Sequence, residues 1–279
     1  MKVKSTNYKI SRSLLYVVLL ILTAAMLIPF AWMLSASLKL DKDVFIFPIQ
    51  WIPKNPRWMN YVDIWTKIPL MTFVGNTVKI TLIVTFLQLL TSSFAAYAFA
   101  KLKFKYKDTL FMAYIATIAV PWQVYMVPQF MMMRNFGLND SHLAIIFLQA
   151  FSAFGVFMMR QFYQGIPDEL CEAARIDGAN KRKSFFHITI PCLSPVILYN
   201  LVMQTIAAFM TFTQAFVITK GGPNDRTNFY ALYVYNQSFK YYDMGYASAM
   251  SWLMLAIMSI VTLLIFKTSK RWVFSEADS

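Results

Sequence analysis

The sequence predicts an all-α integral membrane protein, with six transmembrane helices and a cytoplasmic helix-turn-helix set between the fourth and the fifth. Three observations lead there. Hydrophobic residues make up 58% of the 279 and charged residues only 14%, whereas a soluble domain is nearer half apolar and a quarter charged. The apolar residues fall into long runs, and about 20 such residues carry a helix across a bilayer. Lys and Arg are spread unevenly among the connections between those runs, and positive charge favours the cytoplasmic side.

The runs justify the elements in order. The first span covers residues 14–34. A basic stretch precedes it, but no small-residue cleavage motif follows, so it reads as a membrane helix rather than a cleaved signal. A connection rich in Trp and Pro, "FPIQWIPKNPRWMNYVDIW", suits a membrane interface. The second span, 80–99, is bracketed by Lys79 and Lys101. The third, 110–133, is interrupted by Pro121 and Pro128, which mark either tolerated kinks or a bent gating helix. The fourth covers 143–159, the fifth 193–218 and the sixth 247–266. The chain thereby divides into a tail, first span and external interfacial loop (1–71), a five-helix core (72–268) that includes the polar stretch 167–191, and a terminal tail (269–279).

An even number of spans puts both termini on one side, and the basic residues choose it. Lys2, Lys4, Lys9 and Arg12 precede the first span, and Lys101, Lys103, Lys105 and Lys107 follow the second. Arg160, Arg175, Lys181, Arg182 and Lys183 lie in or near the polar stretch, and Lys267, Lys270 and Arg271 follow the sixth span. These are sixteen of the 26 Lys and Arg, against nine on the opposite side. Both termini and the stretch 167–191 are therefore expected in the cytoplasm. The formal charge of +13 would otherwise raise nucleic acid as a partner. In a membrane protein it is the signature of cytoplasmic loops, so nucleic acid is not expected. The two cysteines, Cys171 and Cys192, form no CxxC, so neither a disulfide framework nor a zinc site is expected. His142 and His187 converge with no Cys or carboxylate in sequence, and no metal site is expected from them.

The polar stretch "PDELCEAARIDGANKRKSFFHITIP" (167–191) reads as two short helices. Pro167 suits a first turn, where its missing N–H costs nothing. Asp168 and Glu169 sit at the positive end of the helix dipole and Arg175 near the negative end. Gly178 follows the last helical residue, where a left-handed cap favours glycine. A second helix is expected over 180–190, with Pro191 marking its exit. From these residues alone, a surface-lying amphipathic loop and a docking element for a soluble partner stand equally open.

"EAARIDGANKRKSFFHITIP" resembles the EAA loop of binding-protein-dependent ABC importer permeases. Glu172, Ala173, Ala174, Asp177, Gly178, Ala179, Ile188, Ile190 and Pro191 fall on that pattern, with Ile190 where Leu is usual. "PFAWMLSASLK", "NPRWMNY", "GNTVKIT", "FAAYAFAKLKF" and "PWQVYMVPQFMMMRNFGLNDSHLAII" look like the carbohydrate-uptake permeases, the front half like the second permease of a maltose-type pair. "FVITKGGPNDRT" and "MGYASAMSW" are similar to a pattern commoner in the first permease of such pairs. The resemblance implies a transport subunit without catalysis of its own, in a bacterial or archaeal cytoplasmic membrane. It implies ATPase coupling through Glu172, Ala173, Ala174, Asp177, Gly178, Ala179 and Pro191. It also implies a second homologous permease, two copies of a cytoplasmic ATPase that hold ATP and Mg, an extracytoplasmic solute-binding protein and a sugar substrate. The chain has no GxxxxGK[ST] motif, and no cofactor is expected in it.

A substrate route is sought in the fifth span. Gln204, Ala207, Ala208, Thr211, Gln214 and Ala215 recur at helical spacing as a small and polar stripe, with Phe209, Phe212 and Phe216 on another face. Such a stripe should face protein or water. It is either a helix-packing surface or a pathway wall, in which Gln204, Thr211, Gln214 and Phe212 meet sugar hydroxyls and faces. Gln149 and Ser152, and Gln88, Ser92 and Ser93, are weaker candidates of the same kind. Gly221, Gly222 and Pro223 form an external turn that either contacts the binding protein or merely reverses the chain. No acidic residue falls within a span, which disfavours a self-sufficient carrier. A polyol, glycerol phosphate or another solute stays open beside a sugar.

Overall fold

The computed structural model describes residues 6–138, 141–176, 178–222 and 227–274. Among them it contains helices and no strand. In order they are α1 (Thr6–Ser37), α2 (Asp41–Val44), α3 (Met59–Thr66), α4 (Leu70–Lys101), α5 (Lys107–Ala116), α6 (Trp122–Asn135) and α7 (His142–Gln149). Then follow α8 (Ala153–Gly165), α9 (Asp168–Ile176), α10 (Lys181–Ser184), α11 (Ile190–Phe209), α12 (Tyr230–Tyr235) and α13 (Met244–Ser269). A 3₁₀ turn (Thr117–Ala119) and three π turns (Phe185–Thr189, Ala215–Thr219 and Asn236–Lys240) join or extend them.

Among the described residues, five stretches are long and apolar enough to cross a membrane: Arg12–Ser37, Leu70–Lys101, His142–Gly165, Phe185–Phe209 and Met244–Ser269. A sixth crossing arises when Lys107–Ala119 and Trp122–Asn135 count as one, and that pair is bent by 97°. The expected third span, 110–133, is thus two helices meeting at a corner. Val120 is extended (φ −83°, ψ 114°), as a residue before proline prefers, and Pro121 opens α6 from an extended conformation. Pro128 lies inside α6 without ending it. The expected fifth span, 193–218, is also corrected: its helix begins before 193 and stops at Phe209, and the chain turns at 210–212 before a short helical segment resumes. The fourth is interrupted at 150–152.

The chain divides into two compact units. Met1–Pro69 with Val234–Leu255 form the first. In the Arg12–Ser37 stretch the most apolar window has no residue buried within this chain. A helix apolar on all sides suits lipid. Beyond it, Asn60 Nδ2 donates to Ser37 O at 2.9 Å and Lys39 O at 3.1 Å, and Arg57 N–H donates to Leu38 O at 2.9 Å. These bonds pin the 38–67 connection to the end of α1. Gly245 lies against the same stretch of backbone: a Cβ there would collide with Lys39 O.

Leu70–Tyr233 with Ala256–Ser279 form the second unit. Helix α4 is its central post; at 1.5 Å per residue its 32 residues span about 48 Å, more than the hydrocarbon layer. One buried cluster joins α4, α7, α11 and α12 through Ile80, Val84, Ile145, Ala208, Ala215, Phe229 and Leu232. Another joins α4, α5, α8 and α11 through Ala96, Phe111, Val156, Met159, Tyr163, Leu193 and Val196. Lipid is as apolar as these side chains, so close packing and hydrogen bonds, rather than escape from water, hold them. Gly155 permits a close approach, since a Cβ there would meet Ser92 Oγ at 2.6 Å and Asn200 Oδ1 at 3.3 Å.

Candidate functional site

A chamber of about 400 Å³ opens in the second unit. That volume is ordinary for a small-molecule pocket, roughly 300–1,000 Å³. Its wall takes Gln88 from α4, Trp122, Tyr125 and Gln129 from α6, and Leu148, Gln149 and Phe151 from the broken fourth span. The end of α11 and the turn after it supply Ala207, Ala208, Met210, Thr211, Phe212, Thr213 and Gln214. No lining residue carries a charge. Amides and hydroxyls alternate with aromatic rings, a surface that can hydrogen-bond hydroxyl groups and pack against their carbon faces.

The chamber lies where two helices are interrupted, and α4 satisfies the backbone that the α7–α8 break frees. Gln88 Nε2 donates to Gln149 O at 2.6 Å, Thr91 Oγ1 to Ala150 O at 2.9 Å and Ser92 Oγ to Ser152 O at 3.5 Å. Ser152 Oγ caps α8 by accepting from Gly155 N–H at 3.0 Å, and it also accepts from Gln204 Nε2 at 2.9 Å. Non-helical backbone at membrane depth persists where protein satisfies it or where it lines a cavity. Both conditions hold here.

The stripe expected in the fifth span is split between these roles. Thr211, Phe212 and Gln214 line the chamber. Thr211 is buried: its hydroxyl donates to Ala208 O at 2.6 Å and accepts from Gln149 Nε2 at 3.2 Å. Gln204 is buried one layer away, on Ser152, and is not part of the wall. Phe212 packs against Phe216 with ring centres 5.5 Å apart and the rings tilted by 30°. Sequence reasoning weighed Gln88 and Gln149 as minor candidates and missed Trp122, Tyr125 and Gln129. Only the corner at Pro121 turns those three toward α11, and the prolines were the one visible signal.

The polar hairpin is built largely as its sequence reads. α9 runs over Asp168–Ile176, with the Glu172 and Ala173 side chains exposed and Ala174 half-buried. Gly178 has φ +86°, and Ala179 N–H donates to Ala174 O at 2.8 Å, closing a Schellman-type cap. Asn180 Oδ1 then caps the next helix by accepting from Lys183 N–H at 2.9 Å. Asp177 and the side chains of Asp168 and Arg175 lie outside the described residues. One expectation is overturned: Pro191 is not the exit of a second short helix. α10, the π turn and α11 follow without interruption, with Pro191 in the first turn of α11. The π turn changes the hydrogen-bond register just before Pro191, so neither its absent N–H nor its ring breaks the helix. The hairpin's second arm is therefore the start of the fifth span itself. On the far side of that span, Lys220 and Gly221 both take positive φ, at 50° and 84°, and Gly222 O accepts from Thr227 Oγ1. Pro223 lies outside the described residues.

Helices this long and apolar, broken around an uncharged chamber and joined by a polar hairpin, suit a multi-pass membrane protein with a polar cavity. Residues 88–275 match the family described as "Binding-protein-dependent transport system inner membrane component", and the chain belongs to that family. Among relatives, it is 54% identical over 116 residues to the probable ABC transporter permease protein YesP of Bacillus subtilis, covering 41% of this chain and 38% of that one. It is 31% identical over 191 residues to the sulfoquinovosyl glycerol transport system permease protein SmoH of Agrobacterium fabrum, covering 68% and 67%. The match to the first of these thus spans well under half of the relative's length. Among solved structures, a chain of a bacterial ABC transporter involved in the import of the acidic polysaccharide alginate superposes with a TM-score of 0.76. That superposition covers 98% of this chain and 100% of the other at 20% identity, a likeness of fold.

Proposed function

We propose that this chain is the transmembrane permease subunit of an ABC importer for a sugar or oligosaccharide. It forms half of the translocation route and performs no bond chemistry. The observation that carries the reading is the uncharged chamber of about 400 Å³, walled by four glutamines, threonines and aromatic rings, inside a binding-protein-dependent permease. Hydroxyl-rich solutes need many neutral donors and acceptors and no counter-charge. SmoH, named for sulfoquinovosyl glycerol transport, supports a glycan-type cargo.

Import needs a source of energy, and this chain carries no ATP-binding motif. A separate cytoplasmic ATPase, present in two copies and holding ATP and Mg, would supply it. The contact would be the hairpin 167–191. Glu172 and Ala173 are exposed on α9, and the second arm is continuous with α11, whose far end carries Ala207 and Ala208 of the chamber wall. A push on the hairpin would thus reach the chamber through one helix, a rigid lever rather than a loop. A second homologous permease would close the route, and an extracytoplasmic solute-binding protein would deliver cargo, with the turn at Gly221, Gly222 and Pro223 as a contact. Both termini, 101–107 and 167–191 would face the cytoplasm, following the distribution of basic residues.

The test is reconstitution of this chain with its second permease, ATPase and binding protein in proteoliposomes. ATP-dependent accumulation of a labelled oligosaccharide, absent without the binding protein, is the expected result. Accumulation driven by an ion gradient without ATP would overturn the assignment.

A further inference from the structure

We propose that Trp122, its indole held by Gln129, is a platform on which an uncharged sugar ring stacks inside the chamber. The inference rests on the import reading above and assigns it a contact. Trp122 is the first residue of α6, immediately after Pro121, and Gln129 lies seven residues on. Seven residues are close to two helical turns, so both side chains share one face. Indole Nε1 donates to Gln129 Oε1 at 3.0 Å. Both residues line the chamber, and Tyr125, one turn from Trp122, lines it between them.

The bond has a physical consequence. A tryptophan with a free N–H can turn about two side-chain torsions. Here the amide fixes the ring's edge, so its flat face is presented in one orientation without an ordering cost at binding. The C–H face of a sugar ring is apolar and its rim carries hydroxyls. An aromatic face with Gln149, Thr211 and Gln214 also on the wall is complementary to both. A carboxylate or sulfonate lodged on that ring would find no cation among the lining residues. A charge buried without a partner is strongly unfavourable. The ring seated on Trp122 is therefore a neutral one. A tryptophan that merely anchored α6 at a membrane interface would have no need of Gln129 and no effect on cargo.

The complete importer in proteoliposomes tests this with labelled lactose, raffinose, arabinotriose and maltotriose as neutral probes and an alginate trisaccharide as the charged one. The binding protein sets the apparent affinity, so the readout is uptake rate at saturating loaded binding protein, beside binding-protein-stimulated ATP hydrolysis. Trp122→Leu should lower uptake of the transported neutral probe about tenfold while hydrolysis persists, the loss expected for an interaction of about 1.4 kcal/mol. Trp122→Phe, which keeps a ring, should stay within about threefold of wild type. Gln129→Leu should slow uptake more in the Trp122 background than in the Trp122→Phe background, because phenylalanine has no N–H for Gln129 to hold. Wild-type uptake rates in Trp122→Leu, an undiminished Gln129→Leu effect in the Trp122→Phe background, or faster uptake of the alginate probe than of every neutral one would each overturn the platform. Uptake of no probe by the wild-type complex would instead sink the sugar-import reading, and this inference with it.

Discussion

Asp41, in the connection after α1, and Asp243 lie together at the start of α13 and join the two. Each accepts a backbone N–H: Gly245 N–H donates to Asp41 Oδ1 at 3.1 Å and Tyr246 N–H to Asp243 Oδ1 at 3.1 Å. Burial, with Asp41 adding to it, pushes the Asp243 carboxyl up to about 6, against weaker opposing effects from the Tyr246 N–H and the Arg57 guanidinium.

A pH dependence follows from the sign of that shift. The folded pKa lies above the unfolded one, so the folded state holds the extra proton, and stability falls as pH rises from about 4 through about 6. Above that window Asp243 carries its charge in a half-buried site beside Asp41. Amide exchange at Gly245 and Tyr246, corrected for intrinsic rates, should be slower at about pH 5 than at about pH 7.5. Asp243→Asn should remove the difference. Equal protection at both pH values in the unaltered chain would show that Asp243 does not hold its proton through this window.

Gly178 and Ala173 separate backbone strain from docking. A Cβ at Gly178 would meet nothing within 4 Å, so Gly178→Val costs only the strain of φ +86°, roughly 1 kcal/mol or more. That is too little to unfold the chain, yet it re-aims the arm that continues into α11. Ala173 is exposed, so Ala173→Trp places its bulk on the outer surface of α9. Both variants should insert normally, retain less ATPase on co-purification and lose uptake. Full ATPase recovery with normal uptake in both would leave the hairpin a surface element.

The spans and the glycine elbow were legible because each depends on local signals: apolar length, basic flanks and a residue that tolerates positive φ. The α7–α8 break was not. "LQAFSAFG" contains no proline, and the interruption persists because Gln88, Thr91 and Ser92 of a distant helix take up its carbonyls. The continuity through Pro191 was hidden for a related reason: a π turn cannot be read from residue types, and without it a proline signals an end. The chamber was half-visible. Thr211 and Gln214 stand out as polar residues in a span, but Trp122 and Gln129 look like an ordinary membrane-edge sequence until the 97° corner brings them to the same cavity.

Orientation is open to a direct measurement. Single cysteines at positions 180 and 54, in a background with Cys171 and Cys192 replaced, should react oppositely with an impermeant thiol reagent added outside. Position 54 lies in the Trp-rich connection after α1 and should label, while 180, at the hairpin, should label only in opened cells. The reverse pattern would invert the topology and remove the hairpin from reach of a cytoplasmic ATPase.

Arg160 on α8 shows where the strength of one interhelix tie resides. Its Nη2 donates to Asp108 Oδ1 at 3.0 Å, its Nε donates to Phe99 O at 3.2 Å, and its guanidinium lies 3.9 Å over the Phe111 ring. The ion pair is the obvious contact and the weaker one: the Arg160 side chain is 11% exposed, but that of Asp108 is 81% exposed, and water screens such a pair. The carbonyl and ring contacts are sheltered, and they join α8 to the end of α4 and to α5. Asp108→Asn should therefore change thermal stability by no more than about 0.5 kcal/mol. Arg160→Met keeps the length and apolar stem but strips Phe99 O of this donor, and should cost about 1–3 kcal/mol. Arg160→Lys should fall between, since an ammonium cannot spread over carbonyl, carboxylate and ring at once. Thermal unfolding of the three variants in nanodiscs gives the order, and an Asp108→Asn loss as large as that of Arg160→Met would place the tie in the ion pair instead.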